Sequence, residues 1–419
     1  MSTIKIAVIG AGPIGLEAAL YARQLGFEVE ILEKRFVGAN ISHWGHVRLF
    51  SPWKMNHSAL GVKLLKENFD KWQEPTQEAF LTGREYVESY LQPLSQLPQI
   101  AQNLHTGIEV LSVGRARVLK GELIGNPQRA NHSFRLLTRD ASGEEKIFHA
   151  DIVIDATGVY GTPNWIGEGG IPAVGERRAR PFIDYHLRDI YGADRAKFAG
   201  KKTLLIGAGY SAATTICDFQ NLIREEPETS VIWVIRENRT EPIPVIEDDA
   251  LPNRASLTRT ANAIAQNGET QIAFRNKTVI HSIEYIENEA QFLVLLKFGN
   301  SKEEIKVHRI IANVGYGPDN SLYRELQVHE CYATRGPMNL AAALLGSASA
   351  DCLTQASQGA ETLKNPEPDF YIIGNKSYGR NSTFLIRVGL SQIVEVFSLI
   401  TGNNHLNLYE DIHQKVSVK

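Results

Sequence analysis

Two glycine-rich turns, almost two hundred residues apart, constrain this chain more than any other feature. The first, Gly10-Ala11-Gly12-Pro13-Ile14-Gly15, follows an apolar run, and so does the second, Gly207-Ala208-Gly209-Tyr210-Ser211-Ala212. After a buried strand, such a turn brings backbone N–H groups at the start of a helix against a pyrophosphate, where a side chain would interfere. The sequence therefore predicts two strand-turn-helix units that each hold a dinucleotide, with electrons passing between the two.

The first turn is followed by the other elements that a dinucleotide site requires. Residues 16 to 22 are typical of an amphipathic helix ending near Gly26, and the next strand, residues 28 to 32, leads into Glu33. An acid about 20 positions after the glycines accepts hydrogen bonds from an adenosine ribose. Because a carboxylate repels a 2′-phosphate, this site is predicted to take FAD or NAD rather than NADP. Its predicted contacts are Gly10, Gly12, Pro13, Ile14, Gly15, Glu33, Lys34 and Arg35.

The second turn differs from the first in two ways that bear on its ligand. Ala212 replaces the third glycine, which serves helix packing, and the strand from Val231 to Ile235 ends in Arg236 instead of an acid. A guanidinium at this position suits a 2′-phosphate, so NADPH is the predicted ligand, although an arginine at a strand end is often solvated surface. The predicted contacts are Gly207, Gly209, Tyr210, Ser211, Ala212, Arg236 and Arg239.

Length and composition set outer bounds on the protein. The 419 residues are enough for two or three domains, and 43% hydrophobic and 22% charged residues are ordinary values for a soluble globular protein. A net charge of −3 argues against nucleic-acid or anionic-membrane binding. No apolar run approaches the about 18 residues of a membrane span, and the chain enters a strand at once, so we expect a cytoplasmic protein without a signal peptide.

Cysteine and histidine spacing excludes two kinds of chemistry. Cys217, Cys331 and Cys352 are far apart, whereas a dithiol relay beside a flavin needs two close cysteines. A distant pair could still meet in the fold, but the simplest expectation is three structural thiols. The twelve histidines show no ligand spacing, so no metal site is predicted.

The rest of the chain predicts how these units are arranged. Residues 38 to 75 are expected to be mostly irregular, and alternating residues predict antiparallel strands at 109–118, 133–140 and 146–153. Glycine and proline make 159–181 a predicted linker, before a second nucleotide unit at about 200 to 310. A final helix is predicted from about Leu385 to Thr401.

Four short segments carry a family resemblance. Asp155-Ala156-Thr157-Gly158 ends a buried strand, Phe198-Ala199-Gly200-Lys201-Lys202 precedes the second turn, Ile310 to Pro318 closes the second unit, and Gly374-Asn375 follows a late strand. In this order they resemble the flavoproteins with two dinucleotide-binding domains, above all the flavin-containing monooxygenases. The resemblance implies an α/β fold with two Rossmann-like domains: a three-layer ββα FAD domain, split into 1–160 and 315–419, and an inserted NAD(P)H domain, 161–314. Thr157, Gly158, Gly374 and Asn375 would contact FAD.

The same resemblance implies a reaction. A monooxygenase of this kind would consume NADPH, react with O2 through a C4a-hydroperoxyflavin and oxidise a small organic substrate. Its partners would be small molecules only, and a homodimer is one assembly the sequence allows. The alternative enzyme is an NAD(P)H-dependent reductase that passes electrons to a quinone, ferredoxin or other acceptor without a redox disulfide. A flavin-binding protein without turnover is a third reading, which both intact turns disfavour.

Candidate catalytic residues come from an aromatic stretch, residues 43 to 57, which could form a wall over the flavin. Trp44 is assigned to cofactor binding as well. The polar contacts near the reacting atoms are predicted to come from Asn40, Trp44, Arg48 and Asn56. The competing interpretation is that these aromatics pack in the local core, which is the commoner location of Trp and Phe.

Overall fold

The computed structural model describes residues 3–268, 270–346 and 352–410. Contacts divide the chain into two compact units, and the first is made of two separate stretches of sequence. Unit 1 contains Met1–Thr162 and Gly317–Lys419, and unit 2 contains Pro163–Tyr316. Both boundaries lie two residues beyond the predicted ones (162 against 160, and 316 against 314). Each unit is described by itself below.

The strands of the described chain form two parallel and two antiparallel sheets. In chain order the strands are β1 (Lys5–Ile9), β2 (Glu28–Glu33), β3 (Leu104–Thr106), β4 (Glu109–Arg115), β5 (Phe134–Arg139), β6 (Glu145–Ala150), β7 (Ile152–Asp155), β8 (Lys202–Ile206), β9 (Ser230–Val234), β10 (Ile272–Arg275), β11 (Val279–Ile286), β12 (Gln291–Phe298), β13 (Ser301–Val307), β14 (Arg309–Ala312) and β15 (Phe370–Ile372).

Six of the helices in the described ranges have nine or more residues, and the other six have four or five. They are α1 (Pro13–Gln24), α2 (Ala39–Ser42), α3 (Ala59–Asn68), α4 (Gly83–Tyr86), α5 (Gln92–Gln96), α6 (Pro98–Ala101), α7 (Glu176–Ala179), α8 (Arg195–Phe198), α9 (Tyr210–Glu225), α10 (Pro252–Asn267), α11 (Met338–Gly346) and α12 (Ile386–Thr401), and a π-turn, Val87–Leu91, joins α4 to α5. No helix within those ranges has both the length and the apolar character needed to cross a membrane.

Unit 1 is built around a five-stranded parallel sheet in the order β15-β7-β1-β2-β3. Its strands alternate between two cores: Ile6 and Val8 pack on the helix side, and Ala7 and Ile9 face the antiparallel sheet β4-β5-β6. A strand buried on both faces reads as a continuous apolar run, as the segment before the first glycine turn does. The predicted fold class, α/β with a Rossmann-like sheet between helices and a second β layer, is confirmed.

Helix α1 differs from the expected amphipathic helix, because it is buried on every side. Its residues from Ile14 to Ala22 are all buried, including Glu17. It lies against α12, α3 and the parallel sheet, so it has no solvent face to carry polar residues. The predicted end is correct, since Gly26 follows with a left-handed φ of +85°.

Unit 2 repeats this plan with a four-stranded parallel sheet in the order β10-β9-β8-β14. Leu204 and Ile206 of β8 pack on the side of the antiparallel sheet β11-β12-β13, and Leu205 packs against the helix side. The second strand-turn-helix therefore has the same three-layer surroundings as the first. Both Rossmann-like sheets that the sequence predicts are present.

Two segments differ from their predicted structure. The stretch 38–75 lies mostly outside regular elements, as predicted, but it also contains the unpredicted helix α3, whose first turn is capped by Ser58 Oγ accepting from the Gly61 N–H at 2.8 Å. The predicted linker, 159–181, belongs largely to the body of unit 2. There the buried Glu176 carboxylate accepts hydrogen bonds from the N–H groups of Ile166 and Ala173. A buried acid that satisfies loop N–H groups makes a glycine- and proline-rich segment rigid.

A fully buried ion triad ties the antiparallel sheet of unit 1 to the start of β15. Glu367 Oε1 lies 2.8 Å from Arg115 Nε, and Glu367 Oε2 lies 2.9 Å from Arg129 Nη2. Burial raises the pKa of Glu367, but hydrogen bonds from Arg129, the Gln327 N–H and Arg115 outweigh it and hold the pKa below its ordinary value. The folded state therefore contains an ionised glutamate where an apolar core would otherwise be expected.

We expect Glu367→Gln to lower the free energy of unfolding by about 3 kcal/mol at neutral pH, because it removes the carboxylate that two buried guanidinium groups contact directly. The pKa of Glu367 is depressed on folding, so its contribution is present above the unfolded pKa of about 4.3 and is lost as pH falls through the lower folded pKa. Urea denaturation of both proteins at neutral and acidic pH checks this. A difference that does not shrink in acid would contradict it.

Candidate functional site

The first glycine turn is shaped by close backbone contacts. Gly10 has a φ of +101°, and a Cβ there would lie 2.9 Å from the carbonyl oxygen of Ala156. A Cβ on Gly15 would lie 1.9 Å from the carbonyl oxygen of Gly10. A Cβ on Gly12 would meet no atom within 4 Å. The first and third glycines are therefore required by the fold, whereas Gly12 leaves an open space at the start of α1, where a pyrophosphate fits the helix N-terminus.

Glu33 is held against this turn by main-chain hydrogen bonds. Its Oε2 accepts from the Ala11 N–H at 2.8 Å, and its Oε1 accepts from the Arg35 N–H at 2.9 Å. The predicted ribose acid is thus placed beside the glycines before any ligand binds. The two neighbouring cations have other contacts: the Lys34 ammonium lies 2.7 Å from Glu109 Oε1, and Arg35 donates to Asn40 Oδ1 at 2.5 Å.

The two strand ends that resemble a flavin contact region also reach the glycine turn. Thr157 donates to Asp155 Oδ1 from its N–H and its hydroxyl, which fixes the turn after β7. Gly158 follows with a left-handed φ of +70° and open space at its Cβ position. At the end of β15, a Cβ on Gly374 would lie 3.4 Å from the side chain of Ile14. The structure therefore brings all three parts of the predicted FAD site together at one edge of the sheet.

Lys376 is a residue of this edge that sequence reasoning missed. It follows Gly374 and the half-buried Asn375 in a short 3-10 turn, and its side chain is 1% exposed. The ammonium donates to Asp155 Oδ2 at 2.6 Å and to Thr157 Oγ1 at 3.1 Å. A lysine is almost never buried without a partner, so a lone lysine after a strand predicts solvent. The only signal in the sequence was its position beside the Gly-Asn pair.

Two of the predicted catalytic residues lie near the Glu33 side of the site. Asn40 is on α2, which is tied to the glycine turn by the Gly38 N–H donating to the Ala11 carbonyl at 3.1 Å, and its Oδ1 accepts from Arg35. Trp44 is half-buried, and a Cβ on Gly83 would lie 2.8 Å from its ring. Both side chains therefore have a surface that a bound molecule could reach.

The other two predicted catalytic residues have structural contacts. Asn56 is 3% exposed, and its amide donates to the carbonyls of Ser51 and Pro52 while its Oδ1 accepts from the Ser51 hydroxyl. Arg48 is exposed and donates to the Phe80 carbonyl. Trp53, from the same stretch, is 1% exposed and stacks on His57 in the core. Among the described residues, no hydrogen bond or ion pair joins Arg48 or Asn56 to Asn40 or Trp44, and the burial of Trp53 shows that the aromatic stretch is at least partly core packing.

The second glycine turn repeats the steric pattern of the first. A Cβ on Gly207 would lie 2.3 Å from the carbonyl oxygen of Asn313, whereas a Cβ on Gly209 would meet nothing within 4 Å. Ala212 is fully buried at the third position. Tyr210 and Ser211, at the start of α9, are half-buried. The Trp233 indole N–H donates to the Gly207 carbonyl at 2.9 Å and fixes the turn from the neighbouring strand.

The predicted phosphate-binding arginines share one acid. The Arg236 side chain is 77% exposed, and its Nε lies 2.9 Å from Glu237 Oε1; Arg239 Nη2 lies 3.7 Å from Glu237 Oε2. Burial raises the pKa of Glu237, but the contacts with Arg236 and Arg239 lower it by more than burial raises it. The pKa of Glu237 is therefore below its ordinary value. A carboxylate between the two cations opposes binding of a phosphate.

Cysteines and metal ligands add nothing to this site in the described chain. Cys217, Cys331 and Cys352 all lie in the described ranges and form no disulfide, and burial raises the pKa of the Cys217 thiol to about 12. In those same ranges, no group of three or more His, Cys, Asp or Glu side chains is arranged to hold a metal ion.

Comparison with known proteins gives a family and a set of similar folds. Residues 7–338 match the family described as pyridine nucleotide-disulphide oxidoreductase. A curated relative, dihydrolipoyl dehydrogenase of Zymomonas mobilis, is 25% identical over 273 residues, which is 59% of this chain and 50% of that protein. The chain therefore matches only half the length of this relative.

Two solved structures illustrate the range of similar proteins. Bacillithiol disulfide reductase from Staphylococcus aureus has a TM-score of 0.64 at 16% identity and covers 97% of this chain and 100% of its own. Ornithine N-hydroxylase from Kutzneria sp. 744, solved with reduced FAD, NADP⁺ and L-ornithine, has a TM-score of 0.65 at 13% identity and covers 96% and 99%. At these identities the likeness shows the fold, which is shared by a reductase and a hydroxylase.

The steric pattern predicts opposite behaviour for two glycines of the first turn. Gly12→Ala should fold normally, because its φ of −82° suits alanine and its Cβ position is open, but it should abolish retention of an FAD-type dinucleotide. Gly15→Ala should lower the unfolding temperature, because its Cβ overlaps the Gly10 carbonyl. Thermal unfolding of the apo proteins and the flavin content after purification measure the two effects. Full flavin retention by Gly12→Ala would contradict the assignment.

Proposed function

The chain belongs to the pyridine nucleotide-disulphide oxidoreductase family, and from this premise we propose that it is an FAD-dependent, NADPH-consuming monooxygenase that oxidises a small organic molecule with O2. The observation that carries the proposal is the repeated glycine turn. Within each turn, a Cβ on the first glycine would overlap backbone, whereas a Cβ on the second glycine would meet no atom within 4 Å. That empty space at a helix N-terminus suits a pyrophosphate, and two of them suit two dinucleotides.

Unit 1 offers the residues that would hold FAD. Gly12 leaves room for the pyrophosphate, and Glu33 presents a carboxylate to an adenosine ribose. Thr157-Gly158 follows β7 and Gly374-Asn375 follows β15, and both pairs would contact FAD. Bound FAD would supply a two-electron carrier between a nicotinamide and a second substrate. The protein's own task is to orient that carrier and to exclude water from it.

Unit 2 offers the residues that would hold NADPH. Gly209 leaves the corresponding open space, and Arg236 is exposed at the end of the next strand, where a 2′-phosphate would lie. Glu237 reduces the positive charge available there. The balance between these three side chains would set the preference for NADPH over NADH.

The reaction after flavin reduction depends on which side chains could react with the reduced flavin. Disulfide reduction of the kind in the family's description needs two neighbouring cysteines, and none of the three here forms a disulfide. Cys217, with its raised pKa, would stay a thiol at neutral pH and would be a poor nucleophile. Hydrogen bonds with Thr334 lower the pKa of the Cys331 thiol, so that cysteine is the better nucleophile of the two. Oxygen chemistry at a flavin needs no side-chain nucleophile. Among the predicted catalytic residues, we retain Asn40 and Trp44 as candidates for contact with bound molecules.

An NAD(P)H-dependent reductase is the second candidate. The family description and the similarity to a disulfide reductase favour it, because both describe transfer of electrons to an acceptor other than O2. A reductase would use the same two glycine turns and the same acid and arginines. The two functions therefore differ only in what accepts the electrons.

Product analysis separates the two candidates. We expect NADPH oxidation to be accelerated by small amines or thioethers and to give a product carrying one atom from isotopically labelled O2, detected by mass spectrometry. The Gly12→Ala variant should give neither product nor accelerated oxidation. An unlabelled product mixture together with rapid reduction of a quinone or ferredoxin would replace the monooxygenase by the reductase.

Cofactor choice tests the role of the acid between the arginines. Arg236→Ala should raise the KM for NADPH by about tenfold with little change for NADH, because it removes a charge-assisted contact to the 2′-phosphate. Glu237→Gln should act in the opposite direction and lower the KM for NADPH, because it frees both guanidinium groups. Steady-state kinetics with both nucleotides measure this, with the exposed Arg259→Ala on α10 as the matched control. Equal effects of Arg236→Ala on NADPH and NADH would show that Arg236 does not read the phosphate.

A further inference from the structure

Lys376 and Asp155 form an ion pair that no solvent reaches. The exposed fractions of the two side chains are 1% and 0%, and the distance from Lys376 Nζ to Asp155 Oδ2 is 2.6 Å. The ammonium also lies 5.1 Å from the centre of the Tyr323 ring and donates to Thr157 Oγ1. Asp155 is saturated on its other oxygen by the N–H and hydroxyl of Thr157. The hydrogen bonds of this pair therefore connect residues at the carboxyl ends of β7 and β15, and the Tyr323 ring lies beside the ammonium.

A second set of buried hydrogen bonds fixes the turn that carries Lys376. The Gln392 side chain of α12 accepts from the Gly374 N–H at 2.8 Å and donates to Ser377 Oγ at 2.9 Å. Ser377 Oγ donates to the Gly374 carbonyl at 2.7 Å. Between these anchors, Asn375 is the half-buried residue, whereas Gly374, Lys376 and Ser377 are buried. The network holds the turn so that Asn375, but not its neighbours, is available to a ligand.

We propose that Lys376 is a positioning residue for FAD, which acts by tying the Thr157-Gly158 turn to the Gly374-Asn375 turn across the carboxyl ends of two adjacent strands. The inference rests on the proposed function, since it names what the FAD site of unit 1 requires. Lys376 acts without a direct contact to FAD. It sets the spacing between two turns that do.

The energetics of buried charges favour this role over a purely stabilising one. Removing two charges from water costs about as much as their attraction returns, and apolar side chains of similar volume often stabilise a fold equally well. A buried lysine in the core is therefore poorly explained by stability. A tie between two ligand-holding turns explains why a charged, directional contact is present at this position, because hydrogen bonds fix geometry that apolar packing leaves adjustable.

The chain offers a matched control at the opposite end of the same strand. Glu367, three residues before β15, forms a buried ion pair with Arg115 whose side chains are both 0% exposed. Ligands of open α/β sheets bind at the carboxyl ends of the strands, and Glu367 lies at the amino end. Variants at Glu367 and Lys376 thus break comparable ion pairs of unit 1, but only Lys376 is adjacent to the proposed cofactor site.

The experiment measures FAD affinity and thermal unfolding of the apo protein in parallel. Apo protein is titrated with FAD, and binding is followed by the quenching of flavin fluorescence. Lys376→Met should weaken FAD binding about ten- to a hundredfold, by analogy with loss of a partner that orients a ligand-holding group. Lys376→Arg should recover part of the affinity. Glu367→Gln should lower the unfolding temperature and leave FAD affinity unchanged.

A double variant separates a lost tie from an unpaired charge. Asp155→Asn combined with Lys376→Met removes both charges, so we expect the unfolding temperature to return toward the wild-type value while FAD affinity stays low. Recovery of FAD affinity in the double variant would overturn the proposal, because the defect of the single variant would then come from the stranded carboxylate. Equal loss of FAD affinity in Glu367→Gln and Lys376→Met would overturn it too, as general destabilisation.

The wild-type titration distinguishes this inference from the proposed function. Wild-type protein that does not bind FAD overturns the proposed function, and the inference with it. Wild-type protein that binds FAD while Lys376→Met binds it equally well overturns the inference alone. The double variant and Lys376→Arg keep the comparison decisive if Lys376→Met does not fold.

Discussion

The arrangement of each unit depends on one steric constraint, the close approach of two backbones at the end of the parallel sheet. Gly10 passes the end of β7 so closely that a Cβ would lie 2.9 Å from the Ala156 carbonyl oxygen, and Gly207 passes the end of β14 with a corresponding 2.3 Å to Asn313. Only glycine permits this approach at a positive φ. Because the strand end is close, the helix that follows begins at the edge of the sheet, and its first N–H groups face the space above it.

This constraint explains which parts of the fold the sequence could predict. Glycine turns, buried strands and an acid or arginine at a fixed spacing are local patterns, and each has a physical reason to occur at its position. The two Rossmann-like sheets follow from them. Helix α3 was missed because a ten-residue helix with a single serine cap is a weak local signal beside a stretch rich in aromatics. The linker was misread because its rigidity comes from Glu176, which acts through contacts with residues up to ten positions away.

Candidate site residues likewise differ in whether a local sequence motif points to them. Gly12, Glu33 and Arg236 could be predicted as candidates because their chemistry is tied to a motif. Asn56 was chosen for its chemistry alone, and its amide is used within its own turn. Lys376 could not be found, because its partner Asp155 lies 221 positions away in the sequence, and burial of a lysine depends on where that partner is placed. Long-range pairing of charges is the part of a site that a single sequence does not contain.

The two nucleotide sites also differ in how far they are organised before a ligand binds. Glu33 is fixed by the N–H groups of Ala11 in the first glycine turn and of Arg35 in its own loop, and the ends of β7 and β15 are joined by a buried ion pair, so the residues proposed to hold a dinucleotide in unit 1 are held by other protein groups. Arg236 is exposed and paired only with its neighbour Glu237. Because binding energy is lost in ordering flexible groups, we expect the proposed dinucleotide site of unit 1 to bind its ligand more tightly than the proposed site of unit 2. That difference is what a resident flavin and an exchangeable nicotinamide nucleotide would each require.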